Sequence, residues 1–137
     1  SALGGIATPL VAPGSSHAYY VYGLVLDIPA IGVSRRKLIE ALRAEGVPGL
    51  MDGYQNVHLL PLFRHKIAYG TQGFPWTLTD AGRSMVYGPG SCPVAEELHA
   101  TRFLGLNLCM CEYGDDDIER VIQAFHKVWD QRQALRA

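Results

Sequence analysis

Residues 18–27 read AYYVYGLVLD. Tyr, Val and Leu favour extended backbone. Apolar side chains stand on both alternating faces, so this decamer is the clearest strand in the chain. A strand apolar on both sides is ordinarily interior to a sheet and covered on both faces. Pro29 stops it. Beyond Pro29, Ser34 caps a helix with an apolar stripe of Leu38, Ile39 and Leu42, while Arg35, Arg36, Lys37, Glu40 and Arg43 turn to water. Gly46 ends that helix in the left-handed conformation. The Val-Pro-Gly-Leu-Met run that follows predicts a second short strand near 47–51.

The other recognisable elements lie toward the C-terminus. Pro93 suits the first turn of a helix capped by Ser91 or Cys92, with Glu96 and Glu97 near its positive end, running to about Thr101. FLGLNLCM (103–110) reads as a short strand, and Cys109 and Cys111 read as filling a core strand rather than as reactive thiols. Asp116 and Glu119 have capping-box spacing. Ile118, Val121, Ile122, Phe125, Val128 and Trp129 then recur at intervals of three and four, which makes the terminal helix the most secure in the chain. Strand alternation and the helix stripes select a core of Tyr20, Tyr22, Leu24, Leu26, Leu38, Leu42, Val121, Ile122, Phe125 and Trp129.

Between these blocks, residues 52–91 carry almost no period. They hold Tyr54, Phe63, Tyr69, Phe74, Trp76 and Tyr87. Disordered segments are poor in aromatics, so this is an ordered loop packed on something, with a short helical turn at 61–68. Loops of this length in compact domains are usually functional. At the other end, residues 1–16 are small, rich in Gly and Pro, and without period; they read as a linker or disordered segment. Residues 17–137 then form one domain.

Composition narrows the function. The chain has 137 residues, enough for one domain with a real core. Its formal net charge is −1, so no strong field draws it to nucleic acid or an anionic membrane. No apolar run approaches a membrane span. Three cysteines without a signal peptide do not make a disulfide framework, and a reducing, cytoplasmic setting is the default. No GxGxxG, GxxxxGK[ST], HExxH or GxSxG motif is present. His58 and His65, with Asp52 as a third ligand, match no zinc spacing. Cys92 precedes a helix that would lower its pKa, but His99 stands two turns on, about 10 Å along the axis, too far to take its proton. The only lysines, Lys37, Lys66 and Lys127, sit on helix exteriors or in the loop, where nothing depresses their pKa for Schiff-base chemistry.

Several stretches taken in order resemble a known family. HAYYVYGLVLD (17–27), RRKLIEALRAEGVP (35–48), GYQNVHLLPLF (53–63), CPVAEELHATRFLGLNL (92–108) and DDDIERVIQAFHKVW (115–129) are similar to the C-terminal small domain of the DegT/DnrJ/EryC1/StrS aminotransferases. These are fold-type-I enzymes that use pyridoxal 5'-phosphate, and many aminate nucleotide-linked keto-sugars or keto-cyclitols. The resemblance covers about residues 17–133 and rests on order and spacing rather than on one motif. It implies an α+β small domain: a short antiparallel sheet with helices packed on it and a long ordered loop. It implies a missing N-terminal large domain that carries the cofactor-bearing lysine, a homodimeric parent in the cytoplasm, and an amino donor such as glutamate or glutamine. No cofactor is expected on this stretch alone. The family's loop after EGxP forms part of the substrate wall; here it runs from Asp52 to Phe63, with Tyr54 and His58 placed to meet a sugar or cyclitol hydroxyl. The alternative is a complete small α+β binding or regulatory module without catalysis.

Overall fold

The computed structural model describes residues 3–110 and 112–136. The chain divides into two compact units: residues up to Tyr54 together with those from Ala100 onward, and residues 55–99. The first holds a four-stranded antiparallel sheet with helices on it, so the fold is α+β. Its strands are β1 (Ile6–Ala7), β2 (Tyr22–Leu26), β3 (Leu50–Met51) and β4 (Phe103–Leu106), in the order β1-β2-β4-β3. Its helices are α1 (Ile28–Ile31), α2 (Arg35–Ala44) and, further along the chain, α6 (Asp115–Asp130).

β2 is central, as its two apolar faces require. Leu24 pairs with Leu104 and Tyr22 with Leu106. Leu24, Leu26, Leu104 and Leu106 share one face and are buried against Leu38, Ile39 and Leu42 of α2 and Phe125, Val128 and Trp129 of α6. On the opposite face Gly23 pairs with Gly105. A Cβ on Gly23 would come within 3.1 Å of the Phe103 ring, and one on Gly105 within 2.9 Å of Val21 and 3.1 Å of Phe103. The two glycines therefore give the Phe103 ring its place across the sheet.

Each helix of this unit ends by a recognisable device. Asp27 caps α1 through its carboxylate to Ala30 N–H at 3.1 Å, with Pro29 in the first turn. Ser34 caps α2. At its other end Gly46 (φ +84) lets Gly46 N–H reach Arg43 O and Val47 N–H reach Leu42 O, both at 3.0 Å. That is the paired bonding of a Schellman stop, and Val47 is buried beside it. Arg35 donates to Phe103 O (3.1 Å) and Ala100 O (3.0 Å), and Arg102 donates to Leu26 O (3.1 Å). These side chains tie α2 and β2 to the strand that arrives from far along the sequence. Lys127 pairs with Glu45 at 2.6 Å, linking α6 to the end of α2.

Several expectations are corrected. Within residues 1–16, read as a linker, Ile6–Ala7 form the edge strand β1, paired to Leu26 and Val25; Asp27 N–H also donates to Gly5 O at 2.8 Å. Two residues are too few to show a period, so the sequence carried no signal. Tyr20 is 64% exposed rather than buried: β2 begins at Tyr22, and strand alternation does not extend before it. Ile122 is 45% exposed, because α6 turns Ala124, Phe125, Val128 and Trp129 inward instead; Val121 and Tyr22 are half-buried and pack against the core from its edge. The cap of α6 lies two residues before the expected Asp116, at Gly114, whose N–H donates to Asp117 at 3.1 Å. β4 stops at Leu106 and turns, which leaves Cys109 exposed rather than in a core strand; Cys111 lies outside the described residues.

The second unit, residues 55–99, has no fully buried residue. Its helices are short: α3 (Pro61–Arg64), α4 (Asp80–Ser84) and α5 (Pro93–Glu97). The helical turn expected over 61–68 is α3; α5 ends at Glu97, before a wider turn over Leu98–Arg102. Phe63, Trp76 and Tyr87 form an aromatic cluster with ring centroids 5.5–6.3 Å apart, and Trp76 Nε1 donates to Tyr87 Oη at 3.1 Å. Lys66 Nζ donates to Arg83 O (2.7 Å) and Gly82 O (3.2 Å) at the end of α4.

The α6 face gives a direct test. Truncating Phe125 to Ala should cost about 3–5 kcal/mol in urea unfolding, whereas Ile122→Ala should cost under about 1 kcal/mol. Equal losses would mean that α6 is turned the other way.

Candidate functional site

The two residues singled out by the sequence fall on different units, Tyr54 on the sheet unit and His58 on the loop unit. Each is described in its own surroundings.

Tyr54 follows β3 by three residues and is 53% exposed. Its hydroxyl is hydrogen-bonded to that of Tyr20. The bond holds the Tyr20 phenol in its neutral form and raises its pKa above the ordinary value; the charges that Tyr54 and Cys109 would carry on ionisation, and slight desolvation, act in the same direction. The backbone at Tyr20 is itself anchored. Cys109 Sγ donates to Tyr20 O at 3.1 Å and to Asn107 Oδ1 at 3.4 Å. Tyr19, just before, has left-handed backbone (φ +46), stacks on His17 at 4.2 Å and donates its N–H to His17 Nδ1 at 2.8 Å.

His58 sits in a 3₁₀ turn, Val57–Leu59, with its side chain nine-tenths buried. Its Nε2 lies 2.9 Å from Glu96 Oε1. The same carboxylate accepts Gly90 N–H on both oxygens at 2.9 Å and Cys92 N–H at 3.3 Å. Glu96 thus gathers the Gly88–Cys92 turn and the His58 turn on one charged group. The Gly90 N–H is the first reason that its pKa is lowered, and His58 the second; both favour the carboxylate, and desolvation opposes them only in part. Sequence reasoning placed Glu96 merely as a negative charge near a helix start. The available signal was a Gly-Pro-Gly turn six to eight residues upstream, whose backbone donors need an acceptor.

The remaining candidates separate. Among the described residues no group of three His, Cys, Asp or Glu side chains is gathered to hold a metal ion. Cys92 is exposed and caps α5 without a side-chain bond. Lys66 and Lys127 are taken up by the contacts given above, and Lys37 is half-buried in the first turn of α2. The sheet unit carries a cleft of about 350 Å³ lined by Ser34, Arg35, Arg36, Asp52 and Thr101, and an apolar groove of about 300 Å³ lined by Leu3, Ile6, Tyr22, Ile122 and Phe125 among others. Among the described residues no helix is long and apolar enough to cross a membrane.

With this geometry in hand, the chain can be set beside known proteins. No protein-family model matches it. It is 26% identical, over 124 residues and 90% of its length, to the spore coat polysaccharide biosynthesis protein SpsC of Bacillus subtilis. It is 30% identical, over 73 residues and 53% of its length, to an uncharacterized protein of Methanocaldococcus jannaschii. The chain spans 27% of the first protein's length and 19% of the second's. It is thus distantly similar to part of a protein of sugar-polymer biosynthesis.

Glu96 makes a testable contribution. A carboxylate whose folded pKa is lowered contributes stability that is fully present above its unfolded value, about 4.3, and is lost as the pH falls through the folded value. Thermal unfolding of the chain should therefore show a lower midpoint for Glu96→Gln than for wild type near pH 7, with the gap closing as the pH falls below about 4.3 and through the lowered folded value. A gap that stays constant throughout acidification would mean that the carboxylate charge is not what holds the turn.

Proposed function

We propose that this chain is the C-terminal small domain of a pyridoxal-phosphate-dependent aminotransferase of the DegT/DnrJ/EryC1/StrS family, acting in the cytoplasm on a keto-sugar or keto-cyclitol. The observation that carries the reading is the similarity to a polysaccharide-biosynthesis protein, which runs through 90% of this chain yet occupies 27% of that protein. The segments that resemble the family in order and spacing run through the same chain, and the α+β architecture is the one that resemblance implies.

The loop unit supports the reading physically. It has no fully buried residue, yet Tyr69, Leu78, Val86 and Val94 are each more than two-thirds exposed. Apolar exposure on that scale marks a surface that covers something else. In this reading it covers the large domain of the parent, itself a homodimer.

The residues of this chain do not fit the cofactor. Its aldehyde carbon needs an amine free to attack it, and two of the three lysines are engaged, Lys66 with backbone carbonyls and Lys127 with Glu45. The third, Lys37, stands in the first turn of a surface helix. No catalytic step is therefore assigned to this chain. Its contribution is a wall for the acceptor. Tyr54 offers a phenol that both donates and accepts to a substrate hydroxyl. His58 acts at one remove, by holding Glu96 and with it the turn at Gly88–Cys92.

One observation favours the second reading, a stand-alone α+β module: the sheet unit closes its own core of leucines, Phe125 and Trp129 without help. The complete gene separates the two. A reading frame that continues upstream through a large domain supports the aminotransferase; one that starts beside Ser1 supports the module.

Two measurements test the function itself. Incubated with pyridoxal phosphate and borohydride, the chain alone should show no stoichiometric lysine adduct absorbing at about 400–430 nm; one trapped lysine would overturn the assignment. In the protein made from the complete gene, Tyr54→Phe should lower kcat/KM for the keto acceptor by about 5- to 150-fold and leave the donor half-reaction unchanged. Equal loss in both half-reactions would make Tyr54 a support of the fold rather than a substrate contact.

A further inference from the structure

The apolar stripe of α6 runs further than its burial. Ala124, Phe125, Val128 and Trp129, in the second half of the helix, are buried. The same spacing of three and four continues back through Ile122, Val121 and Ile118, but there Ile122 is 45% exposed and Ile118 38%. A stripe of this period marks a face that is covered along its length. In the sheet unit the cover stops midway. At the uncovered half lies the apolar groove of about 300 Å³, lined by Leu3 and Ile6 from the N-terminal segment and by Val121, Ile122 and Phe125 of α6. No Asp, Glu, Lys or Arg lines it; Thr8, Tyr22 and His126 bring its only polar side chains.

The N-terminal segment meets this groove at a fixed point. Three successive carbonyls are bonded: Leu3 O accepts Ile6 N–H at 3.2 Å, Gly4 O accepts Trp129 Nε1–H at 3.1 Å, and Gly5 O accepts Asp27 N–H at 2.8 Å. Gly5 has φ +84, and a Cβ there would come within 2.7 Å of Ile31, so packing holds the turn as well. Leu3 is thus a wall of the groove whose place is set by α6 and by the residue that ends β2. Chain that precedes it leaves from that wall.

We propose that the groove seats apolar side chains of the segment joined to Ser1 in the longer protein, and that this segment covers Ile118 and Ile122 and completes the α6 stripe. The inference rests on the reading of the chain as a C-terminal domain, in which a segment precedes Ser1; the related polysaccharide-biosynthesis protein has most of its length outside the part matched here. Three features choose this occupant. The lining offers no charged partner and suits aliphatic side chains, whose burial is favourable there. A segment attached beside Leu3 reaches the groove without a long loop, so closure costs little entropy. The tether also gives it a high effective concentration, which a groove this small needs and a free partner lacks.

The test uses the protein made from the complete gene. The photoreactive residue p-benzoylphenylalanine replaces Ile122 or, in a second variant, His126, a polar residue of the lining that is not part of the buried core. After irradiation, mass spectrometry of the digest should place the crosslink within about 20 residues upstream of Ser1, a stretch that as a helix spans a small domain. In Ile122→Cys the thiol should react with iodoacetamide at least about tenfold more slowly than in Gln123→Cys, one position on and exposed. A crosslink to another copy of the chain or to a distant part of the large domain overturns the proposal. So do equal labelling rates at the two positions, or no crosslink from either variant. The aminotransferase reading is judged separately: a complete protein that forms the expected crosslink but transfers no amino group from glutamate or glutamine to the cofactor loses that reading alone, whereas a reading frame that begins beside Ser1 removes both.

Discussion

The antiparallel pairing of Tyr22–Leu26 with Phe103–Leu106 is the constraint on which the sheet unit depends. Strands about 80 positions apart in sequence meet in one register, and a slip of one residue would turn Leu24, Leu104 and Leu106 away from α2 and α6. The register also aligns Gly23 with Gly105 under the Phe103 ring, so both faces of the pair are specified at once. Long-range pairing of this kind carries a large closure entropy. It is offset by leucine burial on one face and by the backbone bonds of Arg35 and Arg102 at the strand ends.

The loop unit is organised by a different physics. With no fully buried residue it cannot draw on the hydrophobic effect as the sheet unit does. It relies on polar groups that each gather several backbone atoms: Lys66 takes two carbonyls, and Glu96 takes two backbone donors and His58. Such contacts define a shape without supplying much net stability. A segment shaped in this way is suited to presenting a surface to a larger partner, which agrees with the reading of the chain as one part of a longer enzyme.

His58 and Tyr54 illustrate how residue type and residue role part company. Both carry groups that bind hydroxyls, and both stand in the loop after EGVP. In the structure the His58 side chain is nine-tenths buried and committed to Glu96, while Tyr54 is exposed and paired with Tyr20. The spacing in the sequence is the same for either outcome.

By itself the sequence determined the elements whose signal is local and repeated. Strand β2 follows from its run of β-formers, α2 from Ser34, its leucine stripe and Gly46, and the long axis of α6 from apolar residues at three and four. The α+β class and the order of the family-like segments were legible in the same way. Tertiary structure alone decided the rest. The two-residue strand β1 exists only because β2 offers an edge to pair with. Gly114 rather than Asp116 caps α6 because the carboxylate that reaches back is Asp117. Above all, Tyr20 belongs to the same apolar run as Leu24 but leaves the core, because the strand starts two residues later and Tyr19 turns the chain. Alternation predicts a side chain's face only while the backbone stays in the ladder, and where the ladder begins is set by a partner strand that lies about 80 residues away.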